Sequence, residues 1–422
     1  MKNKNCLLMI VCAAAALAVS ACSCSCKKNA EMPSVTQEEF NSMTDKANDF
    51  AFSFYRQNSA GKNENFFFSP YSMRRAFSMV RSGAAGETAE EISRVFMFPE
   101  ETSAVKDEAA ALAAAAESAA RGTVFKDANS LWAQKGFSFL PEYISGLKKN
   151  YAAAAETADF AKDSSSAVKK INGWTAKNTN GIIKDLFSEG ALNSLTRMVL
   201  VNAVYFKGGW QEAFTKTATF EADFHLSSGG VSRAKLMRHE DETDFPYASD
   251  GGVQYLSMPY KNSGSEDGTG LEMMIMLPSD KKTFNKIEKE LSSAKIRKIR
   301  EMMQSEKVRV FLPKFSFEVS HDLKNSLKEM GMNLAFTDQA DFSGMTGDKS
   351  LFIQTAVQKA FIDVSEEGTE AAAATGVGMG LKSVALHRPS IIFRADRPFI
   401  FLIRDSRSGL VIFMGKVEAP KA

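Results

Sequence analysis

Residues 361–382 have the sequence FIDVSEEGTEAAAATGVGMGLK, and this stretch carries the clearest functional signal in the 422-residue chain. It predicts a strand, then a hinge of small residues, then an exposed tip. The alanine run 371–374 and the glycines that follow have too little apolar bulk to anchor a core. Because the stretch contains no proline, it can still pair within a β-sheet. We therefore predict a segment that can become a strand.

Alternation with a period of two sorts this segment into two faces. One face would carry Thr369, Ala371, Ala373, Thr375, Val377, Met379 and Leu381, and the other Glu370, Ala372, Ala374, Gly376, Gly378 and Gly380. The first set is small to apolar and grows in bulk, as a strand with one buried face requires. A flexible surface linker would explain the glycines equally well, but it does not explain the sorted faces.

The first 36 residues are predicted to lie outside the folded domain. Lys2 and Lys4 precede the apolar run 7–19, which is the layout of a secretory signal peptide. Residues 19–22, Val-Ser-Ala-Cys, resemble a bacterial lipobox, which implies removal of residues 1–21 and acylation of Cys22. An ordinary signal peptide with a chance cysteine is the alternative, and the run is short for a membrane-spanning helix. Residues 22–36 would then be a flexible, acylated tether.

Cysteine use and charge limit the possible functions. All five cysteines lie within the first 26 residues, so the domain is expected to be stabilised by packing without disulfides. Cys24 and Cys26 could be metal ligands, but a place in the tether explains them better. Without residues 1–21 the chain has 50 basic and 50 acidic side chains, which argues against nucleic-acid binding.

Catalytic motifs are absent from the sequence. The chain has four histidines, His225, His239, His321 and His387, and none belongs to a recognisable hydrolase, nucleotide-binding or zinc motif. His239, beside four acidic residues at 240–244, could attract a cation, although a solvated acidic turn explains it better. We predict no enzyme activity, no metal and no cofactor.

The decapeptide EEGTEAAAAT at 366–375 resembles the proximal hinge of inhibitory serpins. Six further motifs resemble that family in the same order: NFFFSPYS (65–72), LVNAVYFKGGWQEAF (200–214), LPKFSFE (312–318), ADFSGM (340–345), FRADRPFIFLI (393–403) and FMGKV (413–417). They occur once each, so one serpin domain over residues 37–422 is predicted, most similar in kind to the miropin-like bacterial lipoprotein members.

The resemblance implies an α+β serpin fold with three β-sheets, about eight or nine helices and an exposed reactive-centre loop at about 366–388. Local patterns predict a helix over 40–57, another opening at Ser69, a helix over 104–120 and one over 322–331. The alternating segment 308–320 predicts a single strand. Some family members bind heparin at the region of 104–120, but here Lys106 is its only basic residue, so no heparin site is predicted.

By resemblance, the scissile bond lies fourteen residues beyond the hinge glycine Gly368, which places it at Lys382–Ser383. A lysine there favours trypsin-like serine proteases as targets. Met379 and Leu381 remain alternative cleavage positions, whereas Pro389 should hinder cleavage after Arg388. The hinge comprises Glu366, Glu367, Gly368, Thr369, Glu370, Ala371, Ala372, Ala373, Ala374 and Thr375.

Five residues match positions where the central strands of serpins part. Ser69, Ser72 and Asn202 match a buried polar cluster, and Trp210 matches the aromatic at the top of the opening. Gln358, in AVQKA, stands where the family often has histidine. Glutamine still donates and accepts hydrogen bonds, so we expect a working cluster without the pH sensitivity of a histidine. Ordinary core packing is the alternative interpretation.

The resemblance implies suicide inhibition of trypsin-like proteases. Because the glycine-rich residues 376–380 should let cleavage occur at neighbouring bonds of the loop, inhibition of a broader range of proteases is the second interpretation. The protein is expected to be a monomer, exported and anchored through Cys22 at a bacterial cell envelope, on its periplasmic or surface face. A non-inhibitory serpin that binds or carries a ligand is the alternative. Such members usually have a damaged hinge, and residues 371–374 are intact here.

Overall fold

The computed structural model describes residues 35–262, 270–369 and 390–421. Several predicted functional residues lie outside these ranges: Cys22, hinge residues 370–375, Lys382 and Ser383. The start of the hinge, residues 366–369, is described.

Ten α-helices form within the described residues. They are α1 (Gln37–Asn58), α2 (Pro70–Gly83), α3 (Gly86–Phe96), α4 (Thr102–Ala119), α5 (Pro141–Tyr151), α6 (Ser164–Asn178), α7 (Lys281–Glu290), α8 (Ser293–Met302), α9 (Leu323–Glu329) and α10 (Ser343–Thr346).

The helix starts follow from local side-chain chemistry. Thr36 caps α1 by accepting a hydrogen bond from the Glu39 backbone, while the Glu39 carboxylate accepts from the Thr36 N–H. Ser69 caps α2, and Pro70 occupies its first position as predicted. Asp322 caps α9 in the same way. The helices predicted over 40–57, 104–120 and 322–331 are therefore confirmed.

A six-stranded sheet has the spatial order β11-β12-β13-β4-β2-β3. Its strands are β2 (Val124–Gln134), β3 (Ala154–Ala158), β4 (Met198–Gly209), β11 (Phe315–Asp322), β12 (Thr355–Ser365) and β13 (Gly368–Thr369). We call it the main sheet. Residues 198–206 of β4 are all buried, as expected for a strand covered on both faces.

The other ten strands form one hydrogen-bonded network. They are β1 (Phe66–Phe68), β5 (Phe220–His225), β6 (Val231–Arg238), β7 (Thr243–Asp250), β8 (Val253–Pro259), β9 (Leu271–Pro278), β10 (Gln304–Pro313), β14 (Ile391–Arg394), β15 (Phe399–Asp405) and β16 (Val411–Val417). Strand β10 pairs with β7 along its first half and with β6 near its end. The serpin resemblance implies three sheets. Because β10 pairs with both β6 and β7, two of those sheets are continuous here.

The prediction of one strand over 308–320 is wrong. The segment divides at Lys314 into β10 and β11, which belong to different sheets. Pro313 ends β10 because proline has no N–H to extend the ladder. The side chain of Lys314 instead reaches Glu366 at the start of the hinge. Alternation alone cannot reveal that a strand changes sheets, since the period of two continues across the break.

The main sheet is covered on both faces. Its inner face joins a large apolar core that includes Leu200 and Ala356, together with residues of α1 and α2. Its outer face packs against α6, where Val199, Val201 and Val357 meet an apolar row of that helix. The described residues from 35 onward form one compact unit. Within them, no helix has the length and apolar character to cross a bilayer.

Candidate functional site: the hinge and the opening of the main sheet

The start of the hinge already occupies the top of the main sheet. Strand β13, Gly368–Thr369, lies between β12 and β4 and is antiparallel to both. Thr369 is opposite Val364 on one side and Gly208 on the other. The top of the sheet is therefore open by the width of one strand, and the hinge fills that opening.

We call this position of Gly368–Thr369 between β12 and β4 the hinge seat. Below the hinge seat, β4 and β12 pair directly with each other. Strands β4 and β12 pair in parallel from Thr355 with Val199 to Phe361 with Tyr205. The other long ladders of the main sheet, β11 with β12 and β2 with β4, are antiparallel. Parallel pairing is slightly less stable per residue than antiparallel pairing. The β4–β12 contact is thus the weakest long ladder at the centre of the sheet.

Glycine is required at two positions of the seat. Gly368 has φ +149°, and a Cβ atom there would lie 2.1 Å from the Gly208 carbonyl oxygen. A Cβ on Gly208 would in turn lie 2.9 Å from the ring of Tyr260. Any side chain at either position would push the hinge out of the opening, because backbone and aromatic atoms occupy that space.

Thr369 faces the protein interior, as the predicted sorting of faces requires. Its side chain is 1% exposed, and its hydroxyl lies 2.8 Å from the Tyr260 hydroxyl. Tyr260 stacks on Trp210 with ring centroids 4.7 Å apart, and burial raises the pKa of the Tyr260 phenol. Trp210 Nε1 donates to the Ser365 carbonyl at 3.0 Å. The two aromatic rings form the floor of the hinge seat.

Two acidic residues fasten the hinge to the rest of the sheet. Glu366 accepts from Lys314 Nζ and from the Thr219 hydroxyl, each at 2.8 Å, and Glu367 pairs with Lys216. Burial would raise the pKa of Glu366, but the bonds from Lys314, the backbone and Thr219 outweigh it and lower that pKa. The hydrogen bond to Glu367 raises the pKa of Lys216. We call these contacts the hinge clamp.

The predicted polar residues meet in the middle of the main sheet. Gln358 exchanges two hydrogen bonds of 3.0 Å with the backbone of Ser69, and its amide nitrogen also donates to Asn202 Oδ1. Asn202 Nδ2 donates to the Ser72 hydroxyl and to Asn129 Oδ1. Ser69, Ser72, Asn202 and Gln358 are all 0% exposed. This central polar cluster ties β4 and β12 to the start of α2.

The sequence analysis missed the outer part of this cluster. Asp127 on β2 accepts from the Ser72 hydroxyl and from Asn129 at 2.7 Å, and it pairs with Arg75 at 3.0 Å. Arg75 also donates to the Tyr151 carbonyl at 2.7 Å. Alternation on β2 places Asp127 and Asn129 on one face, but the pattern does not indicate that this face meets α2.

The aromatic predicted for the top of the opening lies away from the central polar cluster. Trp210 is just past the end of β4, and its backbone N–H donates to the Glu367 carbonyl at 2.9 Å. The predicted residues therefore form two groups at two heights of one opening: the hinge seat with its clamp at the top, and the polar cluster lower down.

The cation-site alternative at His239 does not agree with the geometry. The imidazole is 8% exposed, stacks on Phe214 with centroids 4.3 Å apart, and contacts the Glu212 carbonyl through Nε2. Burial lowers the pKa of His239. Within the described residues, no three His, Cys, Asp or Glu side chains gather as metal ligands. His239 instead supports Phe214, whose N–H donates to the Glu366 carbonyl at 2.9 Å.

The family follows from comparison with known proteins. The family model described as Serpin (serine protease inhibitor) matches residues 45–420. The chain belongs to the serpin family. An uncharacterized serpin-like protein of Thermococcus kodakarensis is 40% identical over 376 residues, which cover 89% of this serpin and 85% of that protein. Leukocyte elastase inhibitor A of Mus musculus is 38% identical over 374 residues, covering 87% and 96%.

Solved structures agree with this assignment. The structure of human thyroxine-binding globulin complexed with thyroxine superposes with a TM-score of 0.80 at 27% identity, covering 91% of this serpin and 100% of that chain. The predicted α+β serpin fold is therefore confirmed. Similar proteins include both a named elastase inhibitor and a thyroxine-binding globulin, so membership alone does not decide between inhibition and carriage.

The central polar cluster generates a stability prediction. Gln358→Leu would leave the Ser69 backbone groups and Asn202 without their partner, so we expect the free energy of unfolding to fall by about 1–3 kcal/mol. Urea unfolding followed by tryptophan fluorescence measures this. Gln211→Leu, at an exposed position, is the control and should change stability by less than about 0.5 kcal/mol. Equal stability of Gln358→Leu and wild type would mean that the cluster contributes nothing to stability.

The buried imidazole generates a pH prediction. Because the pKa of His239 is lower in the folded protein than in the unfolded chain, the unfolded chain binds the extra proton first. The stability contribution is therefore complete above the ordinary pKa of about 6.5 and is lost as the pH falls below it. His239→Phe should reduce the dependence of unfolding free energy on pH between 7 and 5 without abolishing it, because burial also lowers the pKa of His321. Gln211→Leu, at an exposed position without a titratable side chain, should leave the slope unchanged; a similar effect of both changes would contradict the assignment to His239.

Proposed function

We propose that this serpin inhibits serine proteases as a suicide substrate. The protease serine would form an ester with the Lys382 carbonyl while the bond to Ser383 breaks. The freed segment from Thr369 onward would then enter the main sheet as a full strand between β4 and β12. The observation that carries the proposal is the seat of Gly368–Thr369, which is hydrogen-bonded to both of these strands.

The register of the seat determines where the following residues would lie. Gly368 pairs with Gly209 and Thr369 with Gly208. Continuing this antiparallel register carries residues 370–379 along residues 207–198, which is the whole remaining length of β4. Lys382 would then lie just beyond the end of the sheet opposite to the hinge. A protease esterified to Lys382 would have moved the full length of β4, about 3.3 Å per residue.

The same register explains why small residues recur on one face. Gly376 would lie between Val201 and Val357, and Gly378 beside Val199. These three valines form the outer surface that α6 covers. Glycine at these two rows would add no side chain between the valines and that helix, so a strand could enter beneath α6 with the least displacement of it. The flexible-linker interpretation offers no reason for glycine at these two rows.

The inward-facing side of the inserted segment would also find suitable partners in the central polar cluster. Thr375 would arrive opposite Asn202 on β4 and Gln358 on β12, the two residues whose amides bond across the closed strands. Insertion would break that bond, and an unpaired buried amide costs about 1–3 kcal/mol. A hydroxyl can both donate and accept, so Thr375 would restore partners for both amides. The central polar cluster would remain satisfied in both states.

The driving force would come from exchanging one ladder for two. Insertion would remove the parallel contact between β4 and β12 and replace it with antiparallel ladders on both sides of the new strand. We take roughly ten to twenty new ladder bonds at about 1 kcal/mol net each as an upper bound. This rivals the roughly 5–15 kcal/mol that stabilises a typical protease domain. Insertion could therefore distort the protease and stop hydrolysis of the ester.

Target choice would depend on the residue at the scissile bond. Lys382 suits proteases with a carboxylate in the specificity pocket, so trypsin-like enzymes are the proposed targets. Use of Met379 or Leu381 instead would extend the range to proteases that prefer apolar residues. On this proposal each molecule acts once and does not turn over.

We place the inhibitor at a bacterial cell envelope through an acylated Cys22. Support comes from the lipobox-like residues 19–22 after a signal-like run and from the absence of cysteine after position 26. Carriage of a ligand is the second candidate function, favoured by the likeness to thyroxine-binding globulin. The seated hinge and the small residues that follow favour inhibition.

Trypsin provides the direct test. We expect a band on a denaturing gel at the mass of trypsin plus that of the serpin without residues 383–422, because the ester survives denaturation once insertion is complete. The released peptide, measured by intact mass, should begin at Ser383. Lys382→Leu should abolish the trypsin complex, whereas Arg388→Leu, at the second basic residue of the loop, should retain it.

The outcomes separate the candidate functions. Cleavage by trypsin without any covalent band would support the carrier function. A covalent band that persists in Lys382→Leu would leave inhibition in place and overturn Lys382 as the cleavage position.

Insertion should fail if a charge is placed on the inner face of the hinge. Thr369→Arg would bury a guanidinium against Tyr260 and Trp210, so it should slow insertion relative to ester hydrolysis. Each added 1.4 kcal/mol in the insertion barrier slows it about tenfold, and we expect the stoichiometry of inhibition to rise at least about tenfold.

The controls for this variant use the same residue type. Thr369→Ser keeps the hydroxyl and should inhibit like the wild type. Thr157→Arg introduces the same charge at an exposed position on the edge strand β3 and should also inhibit normally. Unchanged inhibition by Thr369→Arg would contradict insertion from Thr369.

A further inference from the structure

Two half-buried phenylalanine rings lie outside the apolar core of the ten-stranded network. They belong to four strands that pair in the order β5, β6, β10 and β14. Phe220 on β5 and Phe311 on β10 meet edge to face with ring centroids 6.1 Å apart, and neither joins the core clusters of the described residues. On the neighbouring β14, Ile392 is 56% exposed. Core packing therefore does not explain these apolar side chains.

Two arginines lie against the rings. Arg238 on β6 and Arg394 on β14 are the cross-strand neighbours of Phe311, one on each side. The guanidinium carbon of Arg394 lies 5.4 Å from the ring centroid of Phe311 and 6.0 Å from that of Phe220. The guanidinium carbon of Arg238 lies 5.9 Å from the centroid of Phe220. These distances permit attraction between a cation and an aromatic ring. We call Phe220, Arg238, Phe311, Ile392 and Arg394 the aromatic-arginine face.

Positive charge is in excess around this face. Arg238 is exposed, and its guanidinium forms no ion pair with a carboxylate of the described residues. The carboxylates at 240 and 241 follow β6 in the chain, but neither pairs with Arg238. Asp396 pairs with Arg394 at 2.8 Å and with Arg397 at 3.0 Å. Three guanidinium groups therefore share one paired carboxylate.

The aromatic-arginine face borders both points where the predicted reactive-centre loop joins the described fold. On one side, the hydroxyl of Thr219, directly before Phe220, donates to Glu366 at 2.8 Å. On the other side, β14 starts at Ile391, nine residues after Lys382. Nine residues span at most about 32 Å, so chain length alone keeps the proposed cleavage position within that distance of β14.

A protease attached at Lys382 is large compared with this distance. A domain of about 230 residues has a radius of gyration of about 17 Å, which corresponds to a compact body about 45 Å across. Such a body, held within about 32 Å of β14, can cover the aromatic-arginine face whatever conformation the intervening residues adopt. The enzyme can therefore contact the face before any strand insertion.

We propose that the aromatic-arginine face is a docking surface for the target protease, and that it fits an acidic patch with an apolar centre on that enzyme. This role depends on the proposed inhibitory function. Aromatic residues and arginine are enriched in protein–protein interfaces and at their binding hot spots. Arginine also pairs with carboxylates through two parallel hydrogen bonds, which favours an acidic partner surface.

The face adds a second level of selection among proteases. Lys382 selects enzymes with a carboxylate in the specificity pocket, whereas the aromatic-arginine face selects among these enzymes by the surface around the pocket. Complementary charge across an interface acts strongly on the association rate, and added salt weakens this effect. We therefore expect faster inhibition of trypsin-like enzymes that have acidic surfaces.

Anionic and cationic trypsin test this expectation, because they share the pocket carboxylate but differ in surface charge. At low salt, the second-order rate constant of complex formation should be higher for anionic trypsin. Arg238→Glu should lower the rate constant for anionic trypsin by about tenfold at low salt and by less at high salt. Ile392→Ser removes exposed apolar surface and should lower it by about threefold at either salt concentration. Both positions are exposed, so both variants should fold.

Lys282→Glu is the matched control. Lys282 is exposed on α7 and does not belong to the aromatic-arginine face, so this variant makes the same reversal of charge elsewhere. It should change the rate constant by less than about twofold. An equal loss of rate in Lys282→Glu and Arg238→Glu would reveal attraction by overall charge and overturn the docking surface.

Binding without cleavage separates the docking surface from the proposed function. Anionic trypsin with its catalytic serine replaced by alanine can dock but cannot form the ester. Its dissociation constant should rise about tenfold in Arg238→Glu, as expected for the loss of a charge-assisted contact. This rise, found together with a wild type that forms no covalent complex with active trypsin, would support the docking surface and overturn inhibition.

The opposite combination would overturn the docking surface alone. Covalent complexes would form normally, while the rate and dissociation constants would change by less than about twofold in both Arg238→Glu and Ile392→Ser. Sedimentation of the full chain tests whether a second copy occupies the face instead. Wild-type dimers that become monomers in Arg238→Glu, at unchanged rates of inhibition, would assign the face to self-association and overturn protease docking.

Discussion

The direct parallel pairing of β4 with β12 is the constraint on which the rest of this serpin depends. These two central strands run in the same direction, while each pairs antiparallel with its other long neighbour. A strand placed between them in the opposite direction can form antiparallel ladders with both. On the proposed mechanism the sheet would gain such a strand from residues 370–379, which follow Gly368–Thr369 directly in the sequence.

Polar contacts hold the centre of the main sheet together at two heights. At the top, the hinge clamp uses Glu366 with Lys314 and Thr219. Lower down, Gln358 and Asn202 bond across the closed strands. Apolar packing alone would favour closure without fixing where the sheet opens, because it has no direction. Hydrogen bonds between buried groups do have direction, and leaving them unpaired is costly. They therefore fix how β4, β12 and the hinge are aligned in the present sheet.

Much of the fold and part of the site could be predicted from local sequence. Ser69 followed by Pro70 indicated the start of α2. Alternation placed Thr369 on a buried face, where its hydroxyl contacts the hydroxyl of Tyr260. The change of sheet at Lys314 was missed because alternation continues across it. Asp127 and Lys314 were missed as site residues because their partners lie 52 or more positions away in the sequence.

The sequence by itself determined the family, the sorted faces of the hinge and the residue types available to the polar cluster, since these depend on neighbours close along the chain. Only the tertiary structure decided that β4 and β12 are parallel, that the hinge enters between them at Gly208, and that Lys314 reaches Glu366. The physical reason is that strand direction and side-chain encounters between distant segments depend on how the whole chain packs. Local propensity and alternation are the same for either outcome.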